Sequence, residues 1–404
     1  MIEKTEVLKM ATELGLRPDT IEKDYILGWM LWGINQHPNV SSWAFKGGTS
    51  FKKCHFETFR FSEDLDFTLT DTSHLNSDFL MRTFIEITEN LAEEVGIEFF
   101  SDRFTFKIRE KAKGQLSAHG KIHFNGPLRR KSGVASIKLD LTTDEILILE
   151  PVIKSVHHPF SDGPDDGISA RCYAFEEVIA EKIRALAQRA RPRDLYDVIH
   201  VYRNRTMIDN PKSVYGVLKK KCDFKEMDVP TFESIEQHEK RDELEPQWAN
   251  MLAHQLPSLP PMESFWHELP AFFDWLTGLQ PAKTLESYPK RVGEILFHPG
   301  RISSAFNIEP TLQRIQFAAA NRVCVSLNYH GKLRIIEPLS FRRSSEGNRL
   351  FYGYEREASH VKAYSLHKIE SVEVTNLNYV EKYPVEITAT GPISMPAIRH
   401  KQRL

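Results

Sequence analysis

The segment Arg60-Phe61-Ser62-Glu63-Asp64-Leu65-Asp66-Phe67-Thr68-Leu69 is the first in the chain whose residue types and spacing suit chemistry. In a strand, Leu65, Phe67 and Leu69 take one face and Asp64, Asp66 and Thr68 the other. Two carboxylates then project side by side. Their repulsion is tolerable in water or with a hard cation such as Mg²⁺ between them. A strand with a wet outer face accounts for the same pattern. A second alternating segment, Ser136-Ile137-Lys138-Leu139-Asp140-Leu141, puts Lys138 and Asp140 on one face. If it pairs beside the first, Asp140 completes a three-carboxylate cluster, the kind that holds one or two ions for phosphoryl or nucleotidyl transfer. An exposed Lys–Asp surface pair is the alternative.

Three further features lean the same way. Gly47-Gly48-Thr49-Ser50 follows a short apolar run, and glycines let backbone amides approach phosphate oxygens. No Gly-Lys-Ser/Thr follows, so this is no Walker A loop. Along the helix expected from Phe175, Lys182 falls in the apolar stripe of Val178, Ile179 and Leu186, whereas Arg184 points towards water. A core-facing lysine needs an anion or must snorkel out. In Arg191-Pro192-Arg193-Asp194-Leu195-Tyr196-Asp197, Pro192 opens a helix and Asp194 and Asp197 share a face. Acidic residues at a helix start, with Arg193 pairing Asp197, explain that pattern equally well.

The elements that must position these groups read as α+β. Helix is expected over residues 1–35, a short strand at Trp43-Ala44-Phe45, strands at 62–69 and 136–141, and a helix over 77–95 ended by Gly96. Residues 101–138 read as a strand pair with a loop. They carry ten basic residues (Arg103, Lys107, Arg109, Lys111, Lys113, Lys121, Arg129, Arg130, Lys131, Lys138) against Asp102 and Glu110, an RNA-steering patch or a solvated loop. Helices follow at 174–190 and 192–203, then more helix to about 280. Beyond Val323 the pattern turns to period 2.

The chain has 404 residues, enough for two or three domains. Lys plus Arg is 53 and Asp plus Glu 55, so a polyanion site has to be a local patch. No apolar run approaches the ~18 residues of a membrane span, and Met1-Ile2-Glu3-Lys4-Thr5-Glu6 has no signal-peptide core. Cys54, Cys172, Cys222 and Cys324 stand singly, without zinc-knuckle or disulfide spacing. These features predict a soluble, cytoplasmic protein.

Taken together, Gly47-Gly48-Thr49, Arg60-x-Ser62-x-Asp64-x-Asp66, Glu181-Lys182-Ile183-x-Ala185 and Arg193-Asp194-x-x-Asp197 resemble the AbiEii/AbiGii-type toxin nucleotidyltransferases. These belong to the DNA polymerase β-like nucleotidyltransferase superfamily, and the resemblance covers roughly residues 10–280. It implies a nucleotidyltransferase-type mixed sheet with flanking helices and a helical region. It also implies Mg²⁺-dependent transfer of a nucleoside monophosphate from an NTP, RNA (the tRNA 3′ end) as acceptor, and a cognate antitoxin. Carried over by position, Asp64 and Asp66 match the metal-binding pair and Ser62 the adjacent hydroxyl. Gly47, Gly48 and Thr49 match the nucleotide-contacting turn, Lys182 the triphosphate lysine, and Asp194 and Asp197 the last acidic motif. Asp140, by superfamily analogy, is a third metal ligand. The gap from Gly48 to Asp64 is longer than is usual there.

Residues from Val323 to Ile369, including Leu350-Phe351-Tyr352-Gly353-Tyr354, resemble a WYL domain, a small SH3-like β-barrel, with Phe351-Tyr352-Gly353 in place of its name-giving triplet. The expected organisation is a transferase core at 1–205, a helical region at 206–285, a linker at 286–311, the barrel at 312–386 and a disordered tail at 387–404. The expected function is that of a toxin of a toxin–antitoxin or phage-defence system. Alternatives are a nucleotidyltransferase acting on a protein or small molecule, and a ligand-sensing regulator with an inactive transferase domain.

Overall fold

The computed structural model describes residues 1–56, 59–110, 116–130, 133–279, 295–296, 310–344 and 348–387. Helices α1 (Lys4–Leu14) and α2 (Pro18–Gln36) lead into β1 (Ala44–Lys46), followed by a single helical turn, α3 (Gly47–Ser50). Strand β2 (Asp64–Thr68) precedes α4 (Ser77–Val95). The Asn76 side chain caps the start of α4 through the Asp78 and Phe79 amides, and left-handed Gly96 ends it. Strands β3 (Glu98–Phe99), β4 (Thr105–Glu110), β5 (Leu116–Asn125), β6 (Ala135–Thr142), β7 (Val152–Val156) and β8 (Ile168–Cys172) complete the first sheet.

That sheet runs β3-β5-β6-β2-β1-β8-β7, with β4 also on β5. The pairs β2·β6 and β1·β8 are parallel and the rest antiparallel. Alternation decides which face is covered. Leu65 and Phe67 of β2, Ala118 and Ile122 of β5, and Ile137, Leu139 and Leu141 of β6 pack with Tyr25, Met30, Phe84, Ile87 and Leu91 of α2 and α4. The opposite face is left to the polar residues.

Helices α5 (Phe175–Arg189) and α6 (Pro192–Arg203) pack with α7 (Pro211–Phe224), α8 (Phe232–Glu236), α9 (Leu244–Leu252), α10 (Met262–Trp266) and α11 (Leu269–Thr277) around a second core that includes Ile183, Leu195, Trp248, Phe265 and Phe272. The expected linker 286–311 lies outside the described residues, apart from the short strand β9 (Ile295–Leu296) and the start of α12 (Pro310–Asn321). Residues 388–404 of the expected tail also lie outside them.

The C-terminal strands are β10 (Val323–Tyr329), β11 (Lys332–Arg343), β12 (Arg349–Glu355), β13 (His360–Ser365) and β14 (Ile369–Asn378), ordered β13-β12-β11-β10-β14 with β9 on β11. In place of the expected closed barrel, the described strands form an open antiparallel sheet whose end strands β13 and β14 do not pair. The reason is α12, which the period-2 reading did not anticipate. Its Leu312, Ile315, Ala318 and Ala319 cover Val325, Leu327, Ile336 and Phe351, so the sheet buries its apolar face without closing on itself.

Helix α12 also ties this unit to α6. Arg203 Nη1 donates to the Asn321 carbonyl at 2.7 Å, Tyr196 Oη to Asn321 Oδ1 at 2.6 Å, and Arg322 Nη2 to the Arg203 carbonyl at 2.6 Å. All four cysteines are free. Among the described residues, no helix is long and apolar enough to cross a membrane.

Candidate active site

The open face of the first sheet gathers carboxylates. Asp66 on β2 lies directly opposite Asp140 on β6, with Asp64 opposite Lys138. On the other side, Lys46 of β1 is opposite Asp66. Burial pushes the Asp66 carboxyl up to about 7, the neighbouring Asp140 and Asp64 charges add to this, and Lys46 and Lys182 pull the other way. Burial and like charge together disfavour an ionised Asp66 in the absence of a further cation. His119 on β5 continues the row, with Nδ1 3.5 Å from Asp140 Oδ1.

The turn after β1 is built around Asp66. Gly47 has φ +80°, and a Cβ there would sit 2.2 Å from Asp66 Oδ2. Only glycine supplies both the left-handed backbone and the space for that carboxylate. A Cβ at Gly48 would meet Arg60 Nη2 at 2.9 Å and Ser62 Oγ at 3.1 Å. The Thr49 hydroxyl is buried and donates to the Asp64 carbonyl. Gly47, Gly48, Thr49 and Ser62 thus come together with Asp64 and Asp66.

Behind this turn lies a buried ionic network. Lys182 Nζ is 2.7 Å from Asp197 Oδ2 and 3.8 Å from Asp194 Oδ1. Arg60 grips Asp197 with two bonds of 2.7 and 2.8 Å and reaches Gln255 Oε1 at 2.9 Å. Arg189 grips Asp194 in the same bidentate way, at 2.7 and 2.8 Å. Both aspartates are fully buried. Burial pushes the Asp197 carboxyl up, but Arg60 and Lys182 hold it below the ordinary range. Lys46 Nζ meets Glu181 Oε1 at 2.8 Å. Against burial, Lys46 with Lys221 and Arg184 brings Glu181 down to about 2. Arg193 stands apart: half-buried and near Asp64, its Nε is buried without a partner among the described residues.

Asp64, Asp66, Asp140, Gly47, Gly48, Thr49, Ser62 and Lys182 therefore lie in one region. Asp194 and Asp197 sit under it, facing cations rather than the open face. Two local expectations are corrected. Arg184 is buried on Glu145 at 2.7 Å, because the segment after β6 covers the side of α5 that the helical phase left to water. Asp197 is held by Arg60 and Lys182 rather than by Arg193. Residue types alone missed Lys46, His119 and Gln255; Arg60 stood in the motif without a role, and its grip on Asp197 and that of Arg189 on Asp194 could not be read from the sequence. The one available signal for Lys46 was a lysine interrupting the apolar run Trp43-Ala44-Phe45 just before Gly47-Gly48.

The residues fit a divalent ion. Asp64, Asp66 and Asp140 offer hard oxygen donors, and burial with the neighbouring carboxylates leaves Asp66 reluctant to ionise, a cost that a bound cation would relieve. Among the described residues, no three acidic, His or Cys side chains already form a metal cage. An ion held by Asp64 and Asp66 would complete its shell with water and substrate phosphates.

Paired carboxylates on an open sheet face, beside a glycine turn and backed by buried cations, define a site for phosphoryl or nucleotidyl transfer. The family model described as the nucleotidyl transferase AbiEii toxin of a type IV toxin–antitoxin system matches residues 29–277, and the chain belongs to this family. It is an NTP-dependent nucleotidyltransferase toxin. No curated protein matches the sequence. Among solved structures the chain is similar to MenT4, a nucleotidyltransferase toxin from Mycobacterium tuberculosis H37Rv, at 19% identity and a TM-score of 0.47, over 69% of this chain and 91% of that one.

Proposed function

We propose that the protein transfers a nucleoside monophosphate from an NTP to an RNA acceptor, the 3′ end of tRNA, in a Mg²⁺-dependent reaction. It acts in the cytoplasm as the toxin of a toxin–antitoxin or phage-defence system and is held in check by a cognate antitoxin protein. The observation that carries the reading is the row Lys46–Asp66–Asp140, in register across three strands on the open face of the sheet.

In this reading Asp64 and Asp66 hold the ion, with Asp140 as third ligand. When bound, Mg²⁺ supplies polarisation of the α-phosphate and neutralises the pyrophosphate leaving group. The chain's own residues do the positioning. Gly47 leaves room for the Asp66 carboxylate, and Thr49 fixes the strand backbone at Asp64. Asp194 and Asp197 set the height and direction of Lys182, which together with Arg193 offers positive charge to the triphosphate. Residues 1–205 form the transferase core, 206–285 its helical region, and 312–386 a unit of the WYL type that senses nucleotides or nucleic acid, a role resting on the sequence resemblance.

Incubating the purified protein and Mg²⁺ with each labelled NTP and total bacterial RNA tests the reading. Label on tRNA-sized RNA is expected, lost on adding EDTA and in Asp64→Ala. Label on protein alone replaces the acceptor, and no label anywhere removes the transferase reading of this chain.

A further inference from the structure

The open face of the sheet does not end at Asp140. Strand register extends it in two rows. One runs Lys107 (β4), His119 (β5), Asp140 (β6), Asp66 (β2); the other runs Thr105, Lys121, Lys138, Asp64. Arg109 on β4, two residues from Lys107, shares the face. Lys107, Arg109, Lys121 and Lys138 are exposed, and none forms an ion pair with another described residue. Other basic residues of the segment are committed elsewhere: Arg130 pairs with Asp19 at 2.6 Å and Glu22 at 3.2 Å, and Arg103 with Asp102 at 3.9 Å. Lys111, Lys113 and Lys131 lie outside the described residues.

Leaving four cations unpaired side by side costs repulsion, which a bound polyanion relieves. At about 4.8 Å per strand, Lys107 stands three strands and roughly 14 Å from Asp66. An NTP seated at Asp64 and Asp66 carries its charge at its phosphates and does not reach a row that long. A strand with one phosphate per nucleotide does.

We infer that the β4–β5–β6 face is the acceptor track. A single-stranded RNA end lies across the strands with its phosphates on Lys107, Arg109, Lys121 and Lys138, which carries its terminal hydroxyl to Asp140 and Asp66. The inference rests on the RNA-acceptor reading above and adds where the acceptor binds and from which side it enters. His119, between the cations and Asp140, is the last track residue before the reacting end.

The test compares Lys107→Glu/Lys121→Glu with Lys219→Glu/Lys220→Glu, an exposed pair on α7 that changes net charge equally. Binding of a labelled single-stranded RNA of about twelve nucleotides, within the span of one nucleic-acid groove, is followed by anisotropy against salt. Transfer to total bacterial RNA is measured alongside. The track pair is expected to weaken RNA binding about tenfold or more and to lower the log–log salt slope by about 0.7 per lost phosphate contact. It should raise the KM for RNA and leave the KM for NTP and the melting temperature as they are; the α7 pair should match wild type. Equal weakening by both pairs would reduce the effect to net charge and overturn the track. So would unchanged RNA transfer in the track pair, or loss of neutralisation by the antitoxin alone, which would make the face the antitoxin's. If the wild type labels protein but no RNA, the acceptor reading itself fails, and the track with it.

Discussion

Asp66 on the sheet and Asp197 on α6 are the same chemical group in opposite electrostatic states. The helix pair, Asp194 and Asp197, is wholly buried and fully engaged, each carboxylate gripped by an arginine with Lys182 shared between them. On the sheet, burial first and the neighbouring Asp140 and Asp64 charges second raise the Asp66 carboxyl to about 7. Chemistry needs the second state and architecture the first. A carboxylate already satisfied has nothing left for a cation from solution, whereas an unsatisfied one binds an ion at the expense of its own proton. The cations Lys107, Arg109, Lys121 and Lys138, unpaired among the described residues, show the same contrast with the sign reversed.

The sharpest way to break this comparison is Asp197→Ala. It strands Arg60 and Lys182 in a buried site, and removing one partner of such a network costs about 3–5 kcal/mol. Chemical denaturation should show a loss of that size; a loss below about 1 kcal/mol would mean the network is wet.

Asp66→Asn, in metal-free buffer, should instead stabilise. The native carboxyl ionises near 7 and the unfolded one near the ordinary 3.8, so between those values the unfolded chain gives up a proton that the native chain keeps. Wild-type stability therefore falls with rising pH across that window, by up to about 1.4 kcal/mol per unit from this group. The asparagine variant escapes that loss, so its advantage should grow from about pH 4 to about pH 7 and then level off. Mg²⁺ should shrink it. Asp197 has the opposite sign: its lowered carboxyl stabilises at neutral pH, and that contribution is lost on acidification. Parallel pH slopes for Asp66→Asn and Asp197→Asn would end the distinction drawn here.

Lys182→Met sharpens the boundary between the two groups. Asp197 keeps Arg60, so the melting cost should be modest, about 1–2 kcal/mol on the scale of a hydrogen bond to a charged group. Transfer should fall at least a hundredfold, as when one electrostatic contact to the transition state is removed. Wild-type turnover would make Lys182 a packing residue. The smallest stability change should come from Asp64→Ala, within about 0.5 kcal/mol for a residue outside the core, while transfer disappears.

Much of this was legible in the sequence where side-chain period settles the matter. Alternation placed Asp64 and Asp66 on one face, and Lys138 with Asp140 on another strand. Gly96 ended α4 where a left-handed residue was needed, and helical phase put Lys182 inward. What alternation could not give was adjacency: that β6 lies parallel to β2 in the register joining Asp66 to Asp140 depends on the rest of the sheet. Nor could phase say what Lys182 meets, because that depends on how α5 packs against α6, or that Arg60 joins it on Asp197 from 137 residues away. Strands β7 and β8 went unread: β7 keeps three consecutive residues exposed, and β8 mixes Ser169 and Arg171 into its inner run. Helix α12 went unread because Ala318-Ala319-Ala320 gives no polar face to set a period.

The junction of α6 with α12 has a consequence for descent. Three of its four bonds end on main-chain carbonyls, those of Asn321, Arg203 and Ala320, which any residue at those positions supplies; the fourth joins Tyr196 Oη to Asn321 Oδ1. Substitution at the acceptor positions leaves these carbonyls in place, so the seam depends chiefly on the donor side chains Arg203, Arg322 and Asn204. A graft of the C-terminal unit onto another transferase then needs few matching side chains, and once made it hangs from the helix whose first turn holds Lys182. Such a seam tolerates substitution at most of the positions it touches.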